Sequence, residues 1–117
     1  MPTQVELLEV ERSFWMGGPE VYHRHADSSC LVVFSQMAQV MGRDAIASTA
    51  EAGRWANVQL SPIALTAPSA DMAIFTYECS ADRRNGTPHH AYVTSAYVRR
   101  PDGWKLTFHQ QTEIAQK

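Results

Sequence analysis

Several features are scarce in this 117-residue chain. It has two cysteines, Cys30 and Cys79, and no CxxC pair. Both lie inside strand-like runs, so they read as buried reduced thiols, without support for a disulfide or metal role. No apolar run approaches the roughly 20 residues that a membrane-spanning helix requires. Basic residues cluster no further than Arg83-Arg84 and Arg99-Arg100, and formal charge is −2. A nucleic-acid partner, which demands a basic face, is therefore not expected. Met1 leads straight into an amphipathic segment without a charged, apolar, small-residue leader, which predicts a cytoplasmic protein with no membrane association. No repeat, linker or low-complexity tract interrupts the chain.

A 44% hydrophobic composition suits a single packed core, and the length fits one domain spanning residues 1–117. Residues 3–16 predict a helix: Leu7, Leu8, Val10, Phe14 and Trp15 fall in one sector, with Glu6, Glu9 and Ser13 opposite. Glu11 breaks the pattern by projecting inside the apolar sector. A shorter helix follows Gly17-Gly18, with Pro19 in its first turn and Val21, Tyr22, His25 and Ala26 facing inward. A β-rich run over 28–34 is read as continuing to 40. Gly42-Arg43-Asp44 introduces a third helix over 45–52, stopped by Gly53. Strands follow over 55–66 and 71–82, with Pro62 marking a bulge or an edge. Asn85-Gly86 signals a tight hairpin, and Pro101-Asp102-Gly103 joins the last two strand runs. The order α-α-β-α-β-β-β-β indicates an α+β domain whose sheet bends around few helices and leaves a hollow.

Alternation within strands then assigns faces. On the last strand Trp104, Leu106, Phe108 and Gln110 form the greasier face, read as concave, with Lys105, Thr107, His109 and Gln111 outside. Val93, Ser95 and Tyr97 point inward on the strand before it. A two-residue turn at Asn85-Gly86 pairs Glu78 with Val93 and brings Met72, Ile74, Thr76 and Glu78 inward. A loop one residue longer or shorter instead turns Phe75, Tyr77 and Cys79 inward.

The element order, the stretch Gly42-Arg43-Asp44-Ala45-Ile46 and the ending Asp102-Gly103-Trp104-Lys105-Leu106 … His109-Gln110-Gln111-Thr112 resemble the NTF2-like superfamily, most of all its small bacterial DUF4440/SnoaL-like group. That resemblance implies a cystatin-like roll, in which a curved mixed sheet wraps three helices around a conical pocket. It also implies a homodimer packed through the outer face of the sheet. The chain departs from the ketosteroid isomerases of that superfamily. Leu31-Val32-Val33-Phe34-Ser35 holds no carboxylate where they carry a general base. Phe14 and Trp15 stand in the region of their oxyanion-binding Tyr, and Ser95 in the place of their protonated Asp. The Asp–Arg–Asp set of the related epoxide hydrolases cannot be assembled either.

The expected function is binding of a small organic molecule in the cone. One form is a cofactor-independent lyase or isomerase, similar to the polyketide cyclases and working by proton transfer. Glu11 or Glu78 serves as base, with Tyr97 or Ser95 as hydrogen-bond donor. Tyr22, His25, Trp55, Phe108 and Gln110 complete the ligand wall. The alternative is a non-catalytic binding or assembly domain, with Glu11 in a structural ion pair or hydrogen bond. No metal is expected: His23 and His25 diverge by about 200° on a helix, and His89 and His90 point to opposite faces of a strand.

Overall fold

A computed structural model describes residues 1–34 and 39–114. The elements are α1 (Gln4–Met16), α2 (Pro19–His25), β1 (Ala26–Phe34), β2 (Gln39–Gly42), α3 (Arg43–Thr49), β3 (Trp55–Ser69), β4 (Met72–Arg83), β5 (Pro88–Arg100) and β6 (Gly103–Glu113). The six strands form one open mixed sheet in the order β2-β1-β6-β5-β4-β3. β1 and β6 run parallel, and every other neighbouring pair is antiparallel.

Thr3 caps α1 by accepting the Glu6 backbone N–H on its side-chain oxygen at 3.1 Å. The helix buries Leu7, Glu11, Phe14 and Trp15, an i, i+4, i+7, i+8 stripe. Gly17 then lets α2 turn back closely: a Cβ there would lie 2.3 Å from Val21 Cγ2. The stripe packs against Phe75, Tyr77, Val93, Tyr97 and Leu106 on the concave face of the sheet, all at most 1% exposed.

Two details differ from the sequence reading. A strand continuing from 28 to 40 is replaced by β1 and an antiparallel β2, paired from Leu31–Gly42 to Phe34–Gln39; residues 35–38 of that predicted run lie outside the described residues. The third helix covers Arg43–Thr49, starting two residues earlier and ending three earlier than expected. As expected, Pro62 sits on the edge strand β3, directly before a register shift, where a residue without an N–H costs no ladder bond.

The decisive difference is the β4–β5 turn. Arg83 N–H donates to the Thr87 carbonyl at 2.9 Å, leaving Arg84, Asn85 and Gly86 as a three-residue loop. Gly86 adopts φ +88°, the left-handed conformation such loops require. Glu78 consequently pairs with Tyr92, not Val93. One residue of register reverses the faces, so Ala73, Phe75, Tyr77 and Cys79 point inward, each fully buried.

A second correction falls on β6. Ala96 pairs with Phe108 but Tyr97 pairs with Leu106, so Thr107 is an extra residue in the ladder. This bulge changes the phase of alternation. Leu106 faces inward as expected, but beyond it His109 and Gln111 take the concave side, across from Ser95 and Val93. Phe108 and Gln110 turn outward, across from Ala96 and Thr94.

Candidate functional site

Between the helices and the concave sheet lies a cavity of about 270 Å³. Its aromatic walls come from α1 (Phe14, Trp15), α2 (Tyr22) and the start of β3 (Trp55), with Ile46 of α3 adding an aliphatic surface. Phe14 and Tyr22 pack at a tilt with ring centroids 4.8 Å apart, and Trp15 and Trp55 meet edge-on at 5.1 Å. The polar side is built by His89, His109 and Gln111, with Glu51 and Arg54 at the loop before β3.

Behind this wall Glu11 is wholly removed from solvent. A buried carboxylate needs compensating donors, and three hydroxyls supply them. Tyr77 and Ser95 donate to Oε1 at 2.5 and 3.0 Å, and Tyr97 donates to Oε2. Trp15 donates its indole N–H to the Tyr77 oxygen at 3.0 Å, so one face of the indole helps floor the cavity while its nitrogen braces the network. Burial, reinforced by the Glu11 charge, raises both Tyr77 and Tyr97 well above the usual tyrosine value. The phenols therefore stay protonated and act as donors.

Ser95 joins this core to the cavity. Its oxygen lies 2.9 Å from His109 Nδ1, and the Glu11 carboxylate lies 3.7 Å from the same nitrogen. Because the only Ser95 proton goes to Glu11, Nδ1–H must be the donor in the Ser95–His109 bond. Nε2 is then the basic nitrogen. Gln111 Nε2 donates to it at 3.1 Å, while Gln111 Oε1 accepts from His89 Nε2–H at 3.0 Å. The chain of contacts continues from His89 Nδ1 to Glu113 at 3.0 Å, and Glu113 pairs with Arg83 at 3.0 Å. Burial lowers the His109 pKa below the usual 6.5, with the Glu11 charge pulling in the opposite direction. The imidazole is thus neutral near pH 7, and its basic Nε2 accepts the Gln111 amide N–H at the cavity wall. Tyr22, which also lines the cavity, is raised above its ordinary 10.0 by burial and by Glu11, so it too is a hydroxyl donor.

The residues singled out from sequence divide accordingly. Tyr22 and Trp55 line the cavity. Glu11, Ser95 and Tyr97 come together, but as a sealed cluster behind the wall. Glu78 is corrected to the outer face, where it pairs with His90 at 3.0 Å because the hairpin loop is one residue longer than the two-residue reading. Phe108 and Gln110 are corrected to the outer face by the Thr107 bulge. His25 is half-buried at the end of α2, 6.2 Å edge-on to Phe14, and does not line the cavity. His109, read as an outward residue suited to a dimer seam, is corrected to the cavity wall. His89, Gln111, Trp15 and Tyr77 were not singled out as site residues. Tyr77 was signalled only by the alternative face assignment of its strand, and Trp15 by its place in the apolar sector of α1.

Among the described residues, no three or more His, Cys, Asp or Glu side chains form a group able to hold a metal ion. No helix among them is long and apolar enough to cross a membrane.

No family model and no curated protein sequence matches the chain. Solved structures do match over nearly its whole length. An NTF2-like protein of unknown function in nutrient uptake from Rhodospirillum rubrum is 16% identical with a TM-score of 0.81, covering 97% of this chain and 100% of that one. An NTF2-like protein of unknown function from Prochlorococcus marinus is 16% identical with a TM-score of 0.72, covering 100% and 97%. A ketosteroid isomerase-like protein from Erwinia carotovora atroseptica is 12% identical with a TM-score of 0.77, covering 94% and 92%. The open six-stranded sheet, the three helices inside its curve and these likenesses together establish the NTF2-like α+β cone as the fold of this chain.

Proposed function

We propose that the cavity binds a small cyclic organic molecule and that His109 exchanges a proton with it. The protein is then a cofactor-independent isomerase or lyase of the SnoaL-like kind. The observation that carries this reading is the arrangement Glu11–Ser95–His109. A buried carboxylate and a hydroxyl hold one imidazole tautomer and leave its basic nitrogen at a cavity wall. Once a ligand displaces the Gln111 amide from Nε2, such an imidazole suits abstraction of a proton α to a carbonyl, because the positive charge formed on the ring develops 3.7 Å from the Glu11 carboxylate. The Gln111 amide and the Tyr22 hydroxyl are the donors available to a developing enolate oxygen. Serine nucleophilic catalysis does not fit. Ser95 stands between acid and imidazole, fully buried, with no surface toward the cavity.

The test is deuterium exchange into the α-positions of 2-tetralone, a bicyclic ketone, followed by proton NMR. The wild type accelerates exchange over buffer, and His109→Gln loses the acceleration while keeping its fold. No acceleration together with no binding of the ketone overturns the reading.

An assembly role is the second reading, supported by Leu31 and Tyr92, each 48% exposed on the outer sheet face. In this form the chain is a homodimer joined through that face. A solution mass of one chain at micromolar concentration contradicts it.

A further inference from the structure

At the mouth of the cavity lies a second, shallow depression of about 350 Å³ that shares Glu51, Arg54 and Trp55 with it and adds Arg83, Arg84 and Asn85. The two hollows adjoin at these shared residues, one lined by aromatic rings and the other, the lip, by guanidiniums. Three guanidiniums, Arg54, Arg83 and Arg84, face two carboxylates, Glu51 and Glu113, so the lip carries one positive charge in excess. Arg83 is committed to the fold. It bonds the Pro88 carbonyl at 3.0 Å and Glu113 at 3.0 Å, and its guanidinium sits 5.7 Å from the Trp55 ring centroid. Arg54 and Arg84 are held more loosely. They share Glu51 at 3.9 and 3.4 Å, and Arg54 spends one N–H on the Thr49 carbonyl at 2.6 Å. Each guanidinium has five N–H donors in a planar fork matched to a carboxylate, so both retain capacity for an acidic group arriving beside Glu51.

Within the cavity, the Trp15–Trp55 and Phe14–Tyr22 pairs present ring faces and edges. The space, about 270 Å³, sits just below the common range for ligand sites and suits one or two fused rings. We propose that the ligand is a flat cyclic or aromatic acid. Its ring system enters the aromatic cavity toward His109, and its single carboxylate stays at the lip between Arg54 and Arg84. This rests on the reading of the cavity as a ligand site and adds the class of ligand. A monoanion balances the excess charge of the lip. A cation meets guanidiniums on its way in, and a neutral molecule gains no charge attraction from them.

Three ligands of one shape separate the possibilities: 2-naphthoate, neutral 2-naphthamide and cationic 2-naphthamidine. Binding is followed through the indole N–H signals of Trp15 and Trp55 by NMR. Naphthoate binds at least tenfold tighter than the amide, the amidine binds weakest, and added salt weakens the naphthoate alone. The double substitution Arg54→Gln, Arg84→Gln removes the naphthoate advantage and leaves the amide unchanged. Arg84→Gln alone, at a more exposed position, gives part of the same loss and guards against a folding defect. Equal binding of acid and amide overturns the charged lip but leaves the cavity reading standing. Absence of binding by all three overturns both.

Discussion

Ser95 Oγ lies 2.9 Å from His109 Nδ1, and that contact is the link between a sealed carboxylate and an open cavity. On one side of it Glu11 has three hydroxyl donors and no solvent. On the other, His109 meets Gln111 and the space where a ligand fits. Neither Ser95 nor Glu11 touches that space. Both are positioning residues, which act on the cavity through His109.

Glu11→Gln tests whether the cluster stabilises the fold. The amide keeps one acceptor oxygen and sets an NH₂ against a hydroxyl that now donates to a carboxylate oxygen. The expected cost is about 1–3 kcal/mol, read as a lower urea midpoint at unchanged m-value. Unchanged stability would show that the hydroxyls re-pair freely.

The bulge at Thr107 predicts a contrast between neighbours. Gln111→Ala alters ligand binding and the His109 signals, whereas Gln110→Ala, on the exposed outer face, alters neither. Glu78→Gln behaves like Gln110→Ala and changes stability by no more than about 0.5 kcal/mol, since it breaks only a partly exposed pair with His90. A binding defect in Gln110→Ala with none in Gln111→Ala would place the opposite face in the cavity.

Stability depends on pH through the same imidazole. The folded-state pKa of His109 lies below the unfolded value of 6.5. As pH falls past that value the unfolded chain takes up a proton first, and the native state loses stability until the folded pKa is reached. His25, also lowered, contributes in the same sense but is half-exposed. His109→Gln therefore flattens the fall in urea midpoint below pH 6.5 without abolishing it. Asp27 acts further into acid. Its bonds to Arg100 at 2.8 and 3.0 Å hold its pKa far below the ordinary 3.8. The advantage of wild type over Asp27→Asn is whole above pH 4 and shrinks below it. Parallel pH curves for wild type and either variant would contradict the corresponding assignment.

Gly86 sets which face of β4 is inside. A Cβ there meets no atom within 4 Å, yet φ is +88°. Gly86→Ala therefore costs about 1–2 kcal/mol through backbone conformation alone, and Gly86→Asn costs less. Equal stability of the alanine variant would imply a different turn.

β2 and the parallel β1–β6 pairing were not legible, whereas the helices, the two C-terminal hairpins and the apolar stripe of α1 were, because each rests on a local pattern. Glu11 stood out for the same reason: one carboxylate on an apolar stripe is a local anomaly, and the structure does bury it. The inner wall was not legible beyond β5. Val93, Ser95 and Tyr97 point inward as read, but the faces of β4 and β6 depend on two single-residue events. One is the third residue in the Arg84–Gly86 loop, and the other is Thr107 in β6. Asn85-Gly86 suits either a two-residue or a three-residue turn, and nothing about Thr107 distinguishes it from its neighbours. The greasier face of β6 was chosen as concave, but this side of the cavity is polar, built by His89, His109 and Gln111. Hydrophobicity therefore pointed to Phe108 and Gln110 and away from His109 and Gln111.

The most direct test is the tautomer and titration of His109, followed by long-range ¹H–¹⁵N NMR of the imidazole in wild type and Glu11→Gln. The account predicts a neutral ring with its proton on Nδ1 at pH 7. It predicts a pKa below 6.5 in the wild type and lower again in the variant, where the carboxylate no longer favours the charged ring. A proton on Nε2, or a pKa at or above 6.5 that Glu11→Gln leaves unmoved, would contradict it.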